Sequence, residues 1–397
     1  MNRPKISVIV TCYNLEKYID ECLDSITKQV FRDFECIIVN DGSADNTAKL
    51  VKKYVKKDSR FKLIEKEHGG VSTARNVGFD VANGEYVIFL DGDDFFSSKL
   101  IGQMHRKISK ESADIVVCNY NSYYDSMKKY GPSLLNFSRL TKDVVSFRDL
   151  PDDIFSTFTL MFWNKMFRAD FLRDHALRND ESLHRAQDVE FIGRALVAAE
   201  SITYITDTLV SYRTDTGSSN VNRLHQYPYD VIWAFEKLKV YLDENNMYKN
   251  VEKSYVKVAF THVLANLYFT ETSTVHHEIY DRAKQFFTDN KIALDSDLLT
   301  GDEKMYNEVR VLLSEGYESW LRFRIADLRD DGESKYISYL LGEFQRKYKD
   351  EVDKNVLLRR QYDDILQSTS WRVTHPLRRL KSVHSRATSM YRKRHEK

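Results

Sequence analysis

A chain of 397 residues is too long for one ordinary core and long enough for two or three units. Its 60 basic residues balance 59 acidic ones, which excludes a molecule built as a whole to coat nucleic acid or a membrane; any electrostatic specialisation must be local. Cys12, Cys22, Cys36 and Cys118 form no C-x-x-C pair, so free thiols in a reducing cytosol are expected. The apolar stretch from Ile6 to Val10 is too short for a signal core, and no run reaches the roughly 18 apolar residues of a membrane span. The expected location is cytoplasmic, at most peripheral at the inner face of a membrane.

In chain order, "ISVIVTCYN" reads as a buried strand, "KYIDECLDSITKQ" as a helix, "ECIIVNDGS" as a second strand and "DNTAKLVKKYVKKD" as a second helix. "FKLIEKE" gives a third, short strand. A helix through "STARNVGFDVANG" then leads into the strand "EYVIFLDGDD", and a helix near "SSKLIGQMHRKISKE" precedes the strand "SADIVVCNYN". Strands that alternate with helices and are apolar on both faces predict a largely parallel α/β sheet covered on both sides. From about residue 222 the pattern turns to long amphipathic helices, "YDVIWAFEKLKVYLDENN" and "EKSYVKVAFTHVLANLYF". A later helical tract places Ile337, Leu341, Phe344, Tyr348 and Val352 on one stripe, and a basic tail follows Trp371. The expected units are 1–221, 222–330 and 331–397.

Two strand ends carry polar clusters, "NDGSADN" and "DGDD", and open α/β sheets bind ligands just outside the carboxyl ends of their strands. Asp91 and Asp93, separated by one glycine, can approach one ligand; hard oxygens in such a turn suit Mg²⁺ or Mn²⁺ completed by substrate phosphates. A solvated Asx-turn is the plainer reading of a lone D-x-D. Asp41 could accept from a base or a ribose, Asp45 reads as an N-cap, and the fork of Arg75 could reach a phosphate.

The ordered set "SVIVTCYN", "IIVNDGSADNT", "GGVSTARNVGFDVANGEYVIFLDGDD", "FWNKMFR", "QDVEF" and "YRTDTGSS" resembles the inverting glycosyltransferases of family 2 over roughly the first 220 residues. The resemblance implies a GT-A fold, Rossmann-like, with a mainly parallel sheet, helices on both faces and a helical C-terminal region. It implies a nucleotide-sugar site in which Thr11, Tyr13 and Asn14 line the nucleotide pocket and Asp41 reads the base, uracil in most relatives. Asp91 lies by the ribose and metal-bound water, Asp93 ligates Mn²⁺ or Mg²⁺, and Arg75 lies near the diphosphate. Arg213 with Ser218 or Ser219 closes over the diphosphate. Asp188 is the general base that inversion requires, and Gln187 stands where relatives commonly carry glutamate. Trp163, Asn164 and Lys165 match the acceptor-side segment; Trp163 could stack on a sugar or belong to the core. His68, His184 and His262 read as structural or solvent-facing.

The reading is therefore a metal-dependent inverting transferase that moves a sugar, from UDP in most relatives, to a hydroxyl of a cell-surface glycan, a lipid-linked saccharide or a polyol phosphate. Two rivals stand beside it: an inactive nucleotide-sugar-binding partner, and a nucleotidyltransferase, which the missing glycine-rich basic loop disfavours. The helical region could shape an acceptor groove, make an oligomer contact or simply cap the fold. The tail could meet an anionic membrane surface or a polyanionic acceptor, or only solubilise; nucleic acid is not an expected partner.

Overall fold

A computed structural model describes residues 3–214, 226–268, 273–290, 303–317 and 319–320. The chain divides into two units, Met1–Phe323 and Arg324–Lys397, and every described residue lies in the first. Ser218, Ser219 and the stripe and tail beyond residue 331 lie outside the described residues.

The first half alternates as its sequence predicts: β1 (Ile6–Cys12), α1 (Ile19–Thr27), β2 (Phe34–Asp41), α2 (Thr47–Lys57), β3 (Phe61–Lys66), α3 (Val71–Asp80) and β4 (Tyr86–Asp91). All seven residues of β1 and all eight of β2 are buried, which requires cover on both faces and explains why neither strand alternates in polarity. Helix α3 lies close on the sheet: a Cβ on Gly78 would come within 2.4 Å of Ile9 Cγ2. There follow β5 (Phe95–Phe96), α4 (Leu100–Glu111), β6 (Ile115–Tyr124), β7 (Lys129–Ser133), β8 (Val144–Val145), α5 (Ile154–Phe158), β9 (Lys165–Arg168), α6 (Ala169–Asp174), α7 (Gln187–Ala198) and β10 (Ile202–Thr214).

The main path of the sheet runs β3-β2-β1-β4-β9-β6-β10-β5, with β7 on β6 and β8 on β10. The β1–β2, β1–β4, β2–β3 and β6–β10 pairs are parallel, whereas β9 pairs antiparallel with both β4 and β6. The expected parallel sheet is thus split by one reversed strand. "KMFR" is too short and too polar to announce a central strand, yet it supplies Phe167, which packs on Phe89 and Phe191 in the core.

Four further helices are described: α8 (Asp230–Glu244), α9 (Tyr248–Tyr268), α10 (Ser273–Asp289) and α11 (Glu303–Ser314). They are bound to the sheet domain. Gly193 of α7 faces Leu238 of α8 so closely that a Cβ would meet it at 2.5 Å, and Ser254 of α9 accepts the Phe155 N–H of α5 at 3.0 Å. At the start of α8 the buried carboxylate of Asp230 accepts the backbone N–H groups of His184 and Arg185, each at 2.8 Å. Helix α8 thereby holds the loop that leads into α7. No described helix is long and apolar enough to cross a membrane.

Candidate active site at the carboxyl ends of β1, β2 and β4

Pairing of β1 with β4 sets Thr11 beside Asp91, and the Thr11 hydroxyl donates to Asp91 Oδ1 at 3.4 Å. Beyond Asp91 the chain turns tightly, Asp94 N–H donating to the Asp91 carbonyl at 3.1 Å. Glycine is needed at position 92 for space: a Cβ there would sit 2.9 Å from the Thr11 carbonyl oxygen. The carboxylate of Asp93 takes no hydrogen bond from another residue among those described. Burial, and next the charge of Asp91, push it up to about 6. Asp94 is fully buried; its Oδ1 accepts the Arg213 N–H at 2.8 Å while its Oδ2 has no partner.

Arg75 on α3 donates from Nη2 to Asp91 Oδ1 at 2.8 Å and lies over the Phe162 ring, 4.2 Å from its centroid. The residue is only 4% exposed, yet Nε and Nη1 have no partner. A buried donor left unsatisfied costs about 1–3 kcal/mol, so an acceptor that reached Nε and Nη1 would be favoured.

Arg213 reaches the same turn differently from the expectation. Its guanidinium is sunk among Tyr18, Phe95 and Tyr123, pairs with Glu21 and Asp125, and donates from Nε to the Asp93 carbonyl at 2.7 Å. Each of its three nitrogens has a partner there, and together they brace the acidic turn. The reason is register: Arg213 belongs to β10 itself, beside Tyr123 of β6, and not to a free loop.

At the end of β2, Asp41 is buried and fully engaged, accepting from Lys66 Nζ, from Gly69 N at 3.0 Å and from Gly70 N at 2.8 Å, with His68 Nδ1 at 2.8 Å. Gly70 has φ +94, a conformation open to glycine, and it turns its N–H to Asp41 as α3 begins. Asp41 thus holds the 68–70 turn. Tyr13 is half-exposed and stacks on His68, with centroids 4.1 Å apart. Asn14, left-handed at φ 53, accepts the Ala44 N–H at 2.8 Å and joins the β1 and β2 loops. Asp45 caps from one residue further out than expected: α2 begins at Thr47, whose N–H it accepts at 2.9 Å.

Asp188 occupies the first turn of α7, after Ala186 in the left-handed region at φ 54. Its Oδ1 accepts the Val189 N–H at 3.0 Å. Burial raises its carboxyl above the usual range, against the lowering charges of Arg75 and His262. Tyr212 of β10 feels Asp94, Asp93, Asp91 and Asp188 together, and burial with these charges raises its phenol. The acidic turn and the candidate base therefore both lie within electrostatic reach of Tyr212, and Arg75, which pairs with Asp91, also acts on Asp188. The sequence reading did not name Tyr212 and took His262 as structural or solvent-facing; Tyr212 was within reach, one residue before the arginine of "YRTDTGSS".

Trp163, Asn164 and Lys165 are all buried. Trp163 is 4% exposed and stacked on Tyr212 at 5.2 Å; Asn164 and Lys165 are 0% exposed. Asn164 Nδ2 donates to the Cys118 carbonyl at 3.1 Å, and Lys165 Nζ donates to the Met161 carbonyl and to Asn164 Oδ1, both at 2.8 Å. They lie in the core beside Tyr212, because β9 threads the centre of the sheet. Burial lowers the Lys165 amine to about 7. The folded amine then loses its proton near 7 and the unfolded one near 10.5, so the unfolded state holds more protons in between and stability rises with pH across that window. Lys165→Met should keep the fold and flatten that rise, read as urea midpoints at several pH values; parallel curves for the two proteins would refute the buried, depressed amine.

The acidic turn suits a divalent cation. The open carboxylate of Asp93 and the second oxygen of Asp91 offer hard ligands, and the described residues contain no set of three or more His, Cys, Asp or Glu side chains able to enclose an ion. That donor set fits Mg²⁺ or Mn²⁺ holding water and phosphate ligands in addition.

Residues 7–174 match the family described as Glycosyl transferase family 2. EpsH of Bacillus subtilis (strain 168), named as a glycosyltransferase, is 32% identical over 263 residues, covering 64% of this chain and 73% of that protein. The chain belongs to glycosyltransferase family 2. EpsJ of the same strain, an uncharacterized glycosyltransferase, is 32% identical over 226 residues, 57% of this chain and 64% of its own length. Among solved structures, Staphylococcus aureus TarS 1–349 in complex with UDP-GlcNAc covers 83% of this chain and 93% of its own, with a TM-score of 0.64 at 20% identity. That likeness shows the fold, GT-A, with helices following the sheet domain.

Proposed function

We propose that this family 2 protein transfers a sugar, with inversion, from a nucleotide-diphosphate sugar to a hydroxyl of a cell-surface glycan, a lipid-linked saccharide or a polyol phosphate. The donor is a UDP-sugar, a choice supported by the UDP-GlcNAc held in the TarS structure. The observation that carries the reading is Arg75: a buried cation with two unpartnered donors, paired with Asp91 and acting on the charge of the candidate base Asp188. In the transfer, Asp188 takes the proton of the acceptor hydroxyl as its oxygen attacks the anomeric carbon. The bond to the diphosphate breaks on the opposite side, and Arg75 receives the charge that develops on the leaving oxygens. Asp93, with Asp91, would hold the Mn²⁺ or Mg²⁺, which supplies charge neutralisation to the diphosphate when bound. All four cysteines are free and buried, and burial raises Cys12, Cys36 and Cys118, Cys12 to about 12, so their thiols are inert; this suits a reducing cytoplasm.

A thermal-shift panel of UDP, GDP, CDP and dTDP, each with and without Mn²⁺, tests the reading. UDP with Mn²⁺ at about 100 times its dissociation constant is expected to add roughly 2.7 kcal/mol. Folded protein that none of the four nucleotides stabilises would overturn it.

A further inference from the structure

Tyr212 stands in a circuit of contacts that begins and ends at the acidic turn. Arg75, 2.8 Å from Asp91 Oδ1, lies over the ring of Phe162. Phe162 meets Phe191 of α7 with centroids 4.7 Å apart, and Phe191 follows Asp188 by three residues, so the two are neighbours on the surface of that helix. The next residue in the chain, Trp163, stacks on Tyr212 at 5.2 Å with the ring planes 13° apart. Tyr212 leads in turn to Arg213, whose N–H returns to Asp94 at 2.8 Å. Alternation along β10 sends these two side chains to opposite faces of the sheet. Arg213 goes to Tyr18, Phe95 and Tyr123, and Tyr212 to the face where Trp163 also meets Tyr120 edge-on at 4.5 Å. Register agrees, since Tyr212 pairs with Ser122 of β6, two residues on from Tyr120. Trp163 is buried, whereas Tyr212 is only partly so. Among the described residues Trp163 is the one ring stacked on Tyr212, and the Tyr212 hydroxyl has no hydrogen-bond partner and is not sealed from solvent. A flat ring is thus backed by a buried indole and keeps an accessible hydroxyl edge.

We propose that Tyr212 is a specificity-determining residue that carries the transferred sugar, the apolar face of a hexose or N-acetylhexosamine lying on its ring. The inference rests on the transferase reading. In an inverting transfer the anomeric carbon has the diphosphate on one side and the attacking hydroxyl on the other, so the sugar extends from the acidic turn toward the base. Tyr212 is tied to the turn through the Arg213 N–H, and to the helix of Asp188 through the consecutive residues Trp163 and Phe162 and the ring of Phe191. An aromatic ring offers the C–H face of a sugar flat apolar area, and the stack on Trp163 holds that area in one orientation before the sugar arrives. The charges of Asp94, Asp93, Asp91 and Asp188 all act on the phenol, in keeping with that place.

Calorimetric titration of the full chain with Mn²⁺ and, in turn, UDP, UDP-glucose, UDP-galactose, UDP-GlcNAc and UDP-GalNAc tests this. Tyr212→Ala should weaken the UDP-sugar that wild type binds most tightly by about fivefold to tenfold and leave UDP within about twofold, since an aromatic contact is worth on that order. Tyr212→Leu keeps apolar bulk against Trp163 without the flat face, and should show the same split at a melting temperature close to that of wild type. Tyr212→Phe keeps the ring and should bind that UDP-sugar within about twofold of wild type. Unchanged UDP-sugar affinity in the Ala and Leu variants would overturn the proposal. Equal weakening of UDP and UDP-sugar would overturn it too, because a residue that only supports the acidic turn gives no split. A wild type that binds none of these ligands would remove the transferase reading and this site with it.

Discussion

Asp188→Asn should lower turnover by about 10²–10⁴-fold while leaving the affinity for nucleotide and metal unchanged, because a positioned general base contributes on that order to a proton-transfer step. The substitution keeps the size of the side chain at the head of α7 and removes only its basicity. Stability provides an independent check. The carboxyl of Asp188 is raised in the folded chain, so the native state holds the proton more tightly than the unfolded state does. Stability contributed by this group therefore falls as pH rises from the ordinary value of 3.8 through the raised one, and at neutral pH the buried charge is a cost. Asn should relieve that cost, and the variant should melt no lower than wild type at pH 7 and lose the advantage near pH 3. Kinetics of UDP release with calorimetric melting check both signs. Full activity in the variant would remove Asp188 from the chemistry.

The second large effect is expected at Asp93. Asp93→Ala should abolish the metal-dependent part of UDP binding, and with it the roughly 2.7 kcal/mol that UDP and Mn²⁺ add at about 100 times the dissociation constant. The metal-free variant should itself be at least as stable as wild type, since it removes one of three carboxylates crowded into the 91–94 turn. The group sits at about 6 because burial and the Asp91 charge oppose its ionisation. A cation must displace that proton, so apparent Mn²⁺ affinity should fall as pH drops through 6, with proton release on binding near that pH. Titration calorimetry in two buffers of different ionisation enthalpy reads the proton directly. Metal-dependent UDP binding that survives in Asp93→Ala would assign the carboxylate to turn chemistry.

Much of the site was legible from the chain alone because its residues are local to strand ends. "YVIFLDGDD" runs from buried β4 into carboxylates and β2 ends in Asp41, so the acidic cluster could be placed from alternation and polarity. Residues whose meaning depends on distant neighbours were not legible. Asn164 and Lys165 look polar and available, yet both are buried and β9 carries Lys165 into the sheet between β4 and β6. Arg213 reads as a loop cation, yet the β6–β10 register spends its donors on Glu21, Asp125 and the Asp93 carbonyl.

By itself, the sequence determined the α/β alternation, the buried strands and the carboxylates at their ends, since burial on both faces requires continuous apolar runs and their polar terminations are local. Only the tertiary structure decided which polar side chains face the cleft and which fill the core, and that α8 and α9 reach the loop of Asp188. Those outcomes depend on the order and register in which distant segments pair, which no single window of sequence contains.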